Sequence, residues 1–199
     1  MMIRLLTRIA LIVLLATMGR TTLADALVAD LSEHLVKIDL GFTGKQVLLY
    51  GAIEGEGNVV VVVQGPRKPI TMRRKARVAG VWANDASVTF NDAISFYQVM
   101  ASAELDEWLP FTLRERHQIG VEYLDFSPRE KIGPAEKADF QTALIRSKQN
   151  LGHYGMLEGR VSVLGGRLFR TEIFFPANVP TGIYNLEAFL VRNGEMISA

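Results

Sequence analysis

Short apolar runs separated by turn residues dominate the chain from residue 35 onward, a pattern of strands rather than helices. Leu35-Val-Lys-Ile-Asp-Leu40 alternates apolar and polar positions and predicts a strand. Residues 46–53 predict a second, closed by the turn Glu54-Gly-Glu-Gly-Asn58. Between Asn58 and Gln64 every residue is valine, so this segment predicts a central strand buried on both faces, ended by Gly65-Pro66. Residues 70–79 interleave Arg73, Arg74, Lys75 and Arg77 with Ile70, Met72 and Val78, which predicts a strand at an edge or on a solvated face. Residues 81–84, 87–90 and 94–100 supply further strand pieces with aromatic side chains suited to a core.

The middle of the chain changes period. Thr112-Leu-Arg-Glu115 has the form of a capping box and predicts a short helix over 111–120. Pro134 stands where a first helical turn accepts proline, and Phe140, Ala143, Leu144, Ser147 and Leu151 form one narrow stripe. A helix over 134–150, stopped near Gly152, follows from that spacing. The β pattern returns over 159–164, turns at Gly165-Gly166, and continues through 168–175 and 182–192. Tyr184, after a corner containing Pro180 and Gly182, resembles the tyrosine corner of an immunoglobulin-like sandwich. Asn193-Gly194 is a hairpin signal, because a type I′ turn needs positive φ at both central residues. Only five residues follow it, which reads either as a short edge strand or as a chain stopping before its natural end and before a C-terminal membrane anchor. With no repeat, low-complexity segment or linker, residues 25–199 read as one domain. The fold class expected is mainly β, an immunoglobulin-like β-sandwich with a helical insertion at about 104–152.

Residues 1–24 read as a signal peptide: basic Arg4 and Arg8, an apolar stretch over 9–18, then Thr22-Leu23-Ala24. Cleavage after Ala24 is the first reading and after Ala26 the second. The stretch is shorter than the roughly 20 residues of a bilayer crossing. Removing Arg4, Arg8 and Arg20 leaves 19 basic against 21 acidic residues, so the exported part is near neutral and lacks the positive field of a general nucleic-acid binder. The absence of cysteine removes disulfides, thiolate metal sites and cysteine nucleophiles.

Four segments carry a family resemblance: 42–52 (FTGKQVLLYGA), 74–84 (RKARVAGVWAN), 95–97 (SFY) and 175–184 (FPANVPTGIY). Together they resemble the alphaproteobacterial putative transmembrane protein family. The resemblance implies an exported domain followed by one C-terminal membrane helix, in a family without an established function. It also implies periplasmic placement at the inner membrane and a possible association with a sulfite-exporter-like permease, beside which such genes often lie. Nothing after Gly182 in this sequence is long or apolar enough to span a bilayer.

No motif specifies a chemistry. His34, His117 and His153 have no metal-ligand spacing, so no metal or cofactor is expected. No G-x-S-x-G is present, and Ser127, before Pro128, reads as a helix N-cap. Asp106 with Glu107, and Glu54 with Glu56, read as solvated turn residues. Residues 51–57 lack the Lys-Ser/Thr of a P-loop and read as a hairpin turn. The one concentration of charge is Arg67, Lys68, Arg73, Arg74, Lys75 and Arg77, six cations in eleven residues. It reads as an edge strand protected from aggregation, or as a contact for anionic lipid headgroups or an acidic partner face. These residues make the leading expectation a non-enzymatic periplasmic accessory or interaction domain. The rival is a small-anion-binding protein using Arg73 or Arg77 with Trp82 and Tyr97 near a cleft.

Overall fold

A computed structural model describes residues 26–78, 80–155 and 159–199; the proposed signal peptide lies outside the described residues. Among the described residues strand far outweighs helix, so the chain is mainly β. The first strands are β1 (Leu27–Leu31), β2 (Gly44–Ile53), β3 (Asn58–Gln64), β4 (Arg67–Val78), β5 (Val81–Ile94) and β6 (Tyr97–Ala101). Helices α1 (Leu105–Trp108), α2 (Phe111–His117) and α3 (Pro134–Asn150) intervene. Strands β7 (Gly159–Arg160), β8 (Ser162–Leu164), β9 (Leu168–Pro176), β10 (Asn185–Arg192) and β11 (Glu195–Ser198) complete the order. They form a four-stranded sheet β1-β2-β9-β8, a five-stranded sheet β11-β10-β3-β6-β7, and a two-stranded ribbon β4-β5.

Strand β3 sets the layering. All five of its valines are 0% exposed, as a run without polar positions requires. Val59, Val61 and Val63 face the four-stranded sheet and meet a cluster containing Val47, Leu49, Phe169 and Ile173. Val60 and Val62 point the other way, into a cluster containing Val88, Phe90, Leu105, Leu124, Phe126, Phe140 and Leu144. The five-stranded sheet is therefore covered by a sheet on one face and by the helical segment and the base of the ribbon on the other. Burying five valines contributes on the order of 10 kcal/mol before chain entropy is counted against it.

Polar anchors fix these layers. Tyr97 on β6 is buried; its hydroxyl donates to the Gln118 carbonyl and accepts from the Gly120 amide at 2.8 Å. Tyr154 packs edge-on to it at 6.0 Å and donates to the Ile94 carbonyl at 2.6 Å. Where the chain passes from β9 to β10, Tyr184 donates to the Pro180 carbonyl at 2.5 Å, the bond of a tyrosine corner. Burial pushes its hydroxyl up to about 12. Gly51 lets β1 and Phe169 close on β2: a Cβ there would lie 2.2 Å from the Val28 carbonyl oxygen.

Several expectations hold and several fail. Helix α3 spans Pro134–Asn150 as predicted, and Asn193 and Gly194 take φ of 52° and 78°. Residues 35–40 are not a strand: Ser32 caps the ladder through Leu48, and the segment beyond it is irregular, with Leu35 71% exposed. The strand in that region is β1, outside the alternating stretch. The capping box also fails, because Pro110 is the N-cap of α2 and Thr112 lies inside the helix. Ser127 caps no helix; it is extended beside β5, where the Asn91 amide donates to its carbonyl and Phe90 bridges Pro128. The pieces 81–84 and 87–90 belong to one long β5, whereas 159–164 splits at buried Val161 into strands of two different sheets.

Tyr97→Phe leaves the Gln118 carbonyl and Gly120 amide without their partner. We expect a loss of about 1–3 kcal/mol in urea-unfolding stability with the β-rich far-UV spectrum retained.

Candidate functional site: a cationic ribbon

Successive side chains of β4 point to opposite faces of the ribbon, so the six cations cannot act as one surface. At the base, Arg67 Nη1 donates to the Asp92 carbonyl at 3.3 Å and lies 4.0 Å from its carboxylate. Lys68 Nζ donates to the Thr181 carbonyl at 3.2 Å. Farther out, Ile70 and Met72 pack against the core, and Arg74 shares their face. Its guanidinium lies 3.3 Å from the Asp85 carboxylate and 5.8 Å from the centre of the Phe140 ring. The hydrogen bond and charge of Asp85, with Glu136 and Asp139 adding less, raise the Arg74 pKa further.

The register explains how Asp85 reaches Arg74. Arg74 pairs with Ala86 and Lys75 with Asn84, so Asp85 is the extra residue of a bulge in β5. Strand β4 keeps its alternation through that point and presents Arg73, Lys75 and Arg77 together on the outer face. All three are exposed. Arg77 Nε donates to the Gly80 carbonyl within the turn at 3.2 Å. Arg73 and Lys75 form no ion pair among the described residues. The cluster thus divides into a tethered base, an internally paired Arg74 and an outward strip.

The cleft proposed around Arg73 or Arg77, Trp82 and Tyr97 does not form as expected. Tyr97 is 1% exposed and turned into the core toward Gln118 and Gly120. Trp82 pairs with Arg77 in the ladder, while its side chain lies outside the described ones. A real cleft of about 440 Å³ opens elsewhere, between the 33–38 segment and residues 179–186, lined by Leu35, Val36, Ile38, Val179, Ile183 and Leu186 among others.

The structure also assembles a cluster that no spacing announced. Helix α3 brings the Lys148 ammonium to 3.4 Å from the Ser95 carbonyl, and Lys68 lies close enough to disfavour its charge. Burial lowers the Lys148 pKa first, and Lys68 adds to the effect. His153, three residues beyond the helix end, is buried with Nε2 donating to the Asn178 carbonyl at 3.0 Å. Its Nδ1 and the Ser95 hydroxyl are buried without a hydrogen-bond partner. Ser95 and Lys148 are types used in nucleophilic catalysis, but here the lysine meets the backbone and the hydroxyl is closed in against Gly65. His34 instead pairs with Asp30, and His117 packs on Phe189. Among the described residues no group of three potential metal ligands occurs, and no helix is long and apolar enough to cross a membrane.

These features define a β-rich domain with a buried two-faced sheet and a charged ribbon. The chain belongs to the family described as Putative transmembrane protein (Alph_Pro_TM), which matches residues 26–199. No curated protein and no solved structure matches it.

Protonating His153 would place a buried N–H without an acceptor beside Lys148. Burial, reinforced by the Lys148 charge and opposed by the Asn178 hydrogen bond, holds its pKa below the ordinary 6.5. The unfolded chain therefore takes up this proton first as pH falls, and the stability contributed by the neutral ring is lost below about pH 6.5. Thermal melts should show a smaller drop between pH 7.5 and 5.5 for His153→Gln than for the parent chain.

Proposed function

We propose that this chain is a non-enzymatic, exported accessory domain, anchored at the inner membrane in its full-length form, that docks through the outer face of the β4–β5 ribbon onto an acidic surface at the membrane. A sulfite-exporter-like permease is one candidate neighbour. The N-terminal stretch that reads as an export signal and the transmembrane family support the location. The observation that carries the docking surface is the outward strip of Arg73 and Lys75, which form no ion pair among the described residues. The two face-to-face sheets and the Tyr184 corner favour an immunoglobulin-like sandwich, a frame that presents surfaces more often than it encloses catalytic sites.

The test is co-sedimentation of the chain from Asp25 onward with native inner-membrane vesicles. Arg73→Glu/Lys75→Glu should lower binding by on the order of tenfold, with binding weakening as salt rises. The exposed pair Arg167→Glu/Arg170→Glu on the opposite sheet should leave it unchanged. Equal loss in both variants, or none in either, overturns the docking surface.

Small-anion binding has one observation in its favour, the approach of Lys68 and Lys148 without an acid among the interactions that shift Lys148. In that reading sulfate, sulfite or phosphate gives binding heat at millimolar concentration that Lys68→Gln/Lys148→Gln abolishes. An absence of heat removes it.

A further inference from the structure

The outer end of the ribbon carries more than charge. Its tip, Val78-Ala79-Gly80-Val81-Trp82, contains no polar side chain, and Val81 is 69% exposed. Immediately behind it stand Arg77, opposite Trp82 in the ladder, and Lys75, opposite Asn84; Arg73 follows one step back, opposite Ser87. Asp85 is the only acid between Arg67 and Phe90, and Arg74 pairs with it on the other face. The cations alone would suit an acidic protein face as well as a lipid surface, so the apolar tip beyond them is the feature that points to the bilayer. A bilayer surface uses both: headgroup phosphates meet the basic collar, while the apolar end enters the boundary between headgroups and acyl chains. Tryptophan is favoured at that depth.

Resting on the docking reading above, we infer that the acidic surface is the anionic lipid bilayer itself, with the Val78–Trp82 tip entering the interface and Arg73, Lys75 and Arg77 lying on lipid phosphates. The base of the ribbon is held in the core by Val88, Phe90, Ile70 and Met72, and from there the ladder carries exposed Val81 away from it. One hairpin turn entering the interface is a weak, reversible contact, suited to orienting a domain at the surface rather than holding it there.

The experiment uses the chain from Asp25 onward and synthetic vesicles, either pure phosphatidylcholine or phosphatidylcholine with a 40% share of phosphatidylglycerol (about that fraction suffices to create a strong negative surface). Binding is expected to the anionic vesicles and not to the neutral ones. Arg73→Gln/Lys75→Gln/Arg77→Gln should weaken it by on the order of 100-fold. Val81→Asp should weaken it with the collar intact. In a Trp108→Phe background, Trp82 emission should shift to the blue on anionic vesicles and be quenched by lipids brominated near the headgroup. Circular dichroism checks that each variant keeps its β spectrum. If the charge-reversed ribbon loses native membranes while no chain binds anionic vesicles, the lipid assignment is overturned and the docking surface stands, with a membrane protein as its partner. If Val81→Asp binds as the parent does and Trp82 emission stays fixed, tip entry is overturned.

Discussion

A strand that is apolar on both faces cannot stand at a surface, and β3 is such a strand. Burying Val59, Val61 and Val63 demands one covering layer, and burying Val60 and Val62 demands another. The four-stranded sheet meets the first demand. The second falls to the helical segment between β6 and β7, which supplies Leu105, Leu109, Ile119, Leu124, Phe126, Phe140 and Leu144. That segment is an insertion in sequence and half of a core in space. Tyr97 and Tyr154 act at the same boundary, giving hydroxyl partners to carbonyls that the layers would otherwise bury without one.

The second layer also decides what the ribbon can be. Strand β5 is long enough to begin in the core, at Val88 and Phe90, and to continue beyond it. Near its base one edge is covered by the extended segment around Pro128, through the Phe90 bridge and the Arg129 amide donating to the Thr89 carbonyl. At that level the hydroxyls of Thr71 and Thr89 pair across the ribbon at 2.9 Å, and farther out the cross-strand ladder continues to Val78 and Val81. Arg74 is spared repulsion from Arg73 and Lys75 by facing the other way, where Asp85 and the Phe140 ring receive it. The ribbon is thus an outgrowth of the core with one stabilised face and one open one.

Features written in local chemistry were legible in the sequence. An uninterrupted valine run, Pro134 ahead of an apolar stripe, and Asn193-Gly194 each state a conformation that few contexts can override. Tyr184 kept its corner bond because a hydroxyl four residues after Pro180 has a backbone acceptor within reach whichever sheets pack above it. What failed depended on partners distant in sequence. Residues 35–40 alternate as a strand should, yet no neighbouring strand offers them a ladder. Thr112 has Glu115 at the right spacing, but Pro110 starts the helix earlier. For the site, the cations were visible as residues; their division between faces was foreseeable from strand alternation, while the pairing of Arg74 depends on a bulge at Asp85 that no local signal marks. Ser95 comes from one part of the chain and Lys148 and His153 from another, and only the packing of α3 brings them together.

An unpaired edge invites association with other strands, and charge at the edge prevents it. That need accounts for charged residues on β4 but is indifferent to their sign: glutamates would repel a second copy as well as arginines do. The ribbon nevertheless uses one sign throughout its outer strip, in a chain whose part beyond residue 24 is otherwise slightly acidic. Its single acid is turned inward to hold Arg74. Protection against aggregation also gives no reason for an apolar tip, which it would favour removing. A preference for one sign, combined with an exposed Val81 at the end of a ribbon anchored in the core, is what the proposed contact with an anionic surface of apolar interior would use. On that proposal edge protection is a by-product of the same charges, because a strip of one sign also repels its own copies.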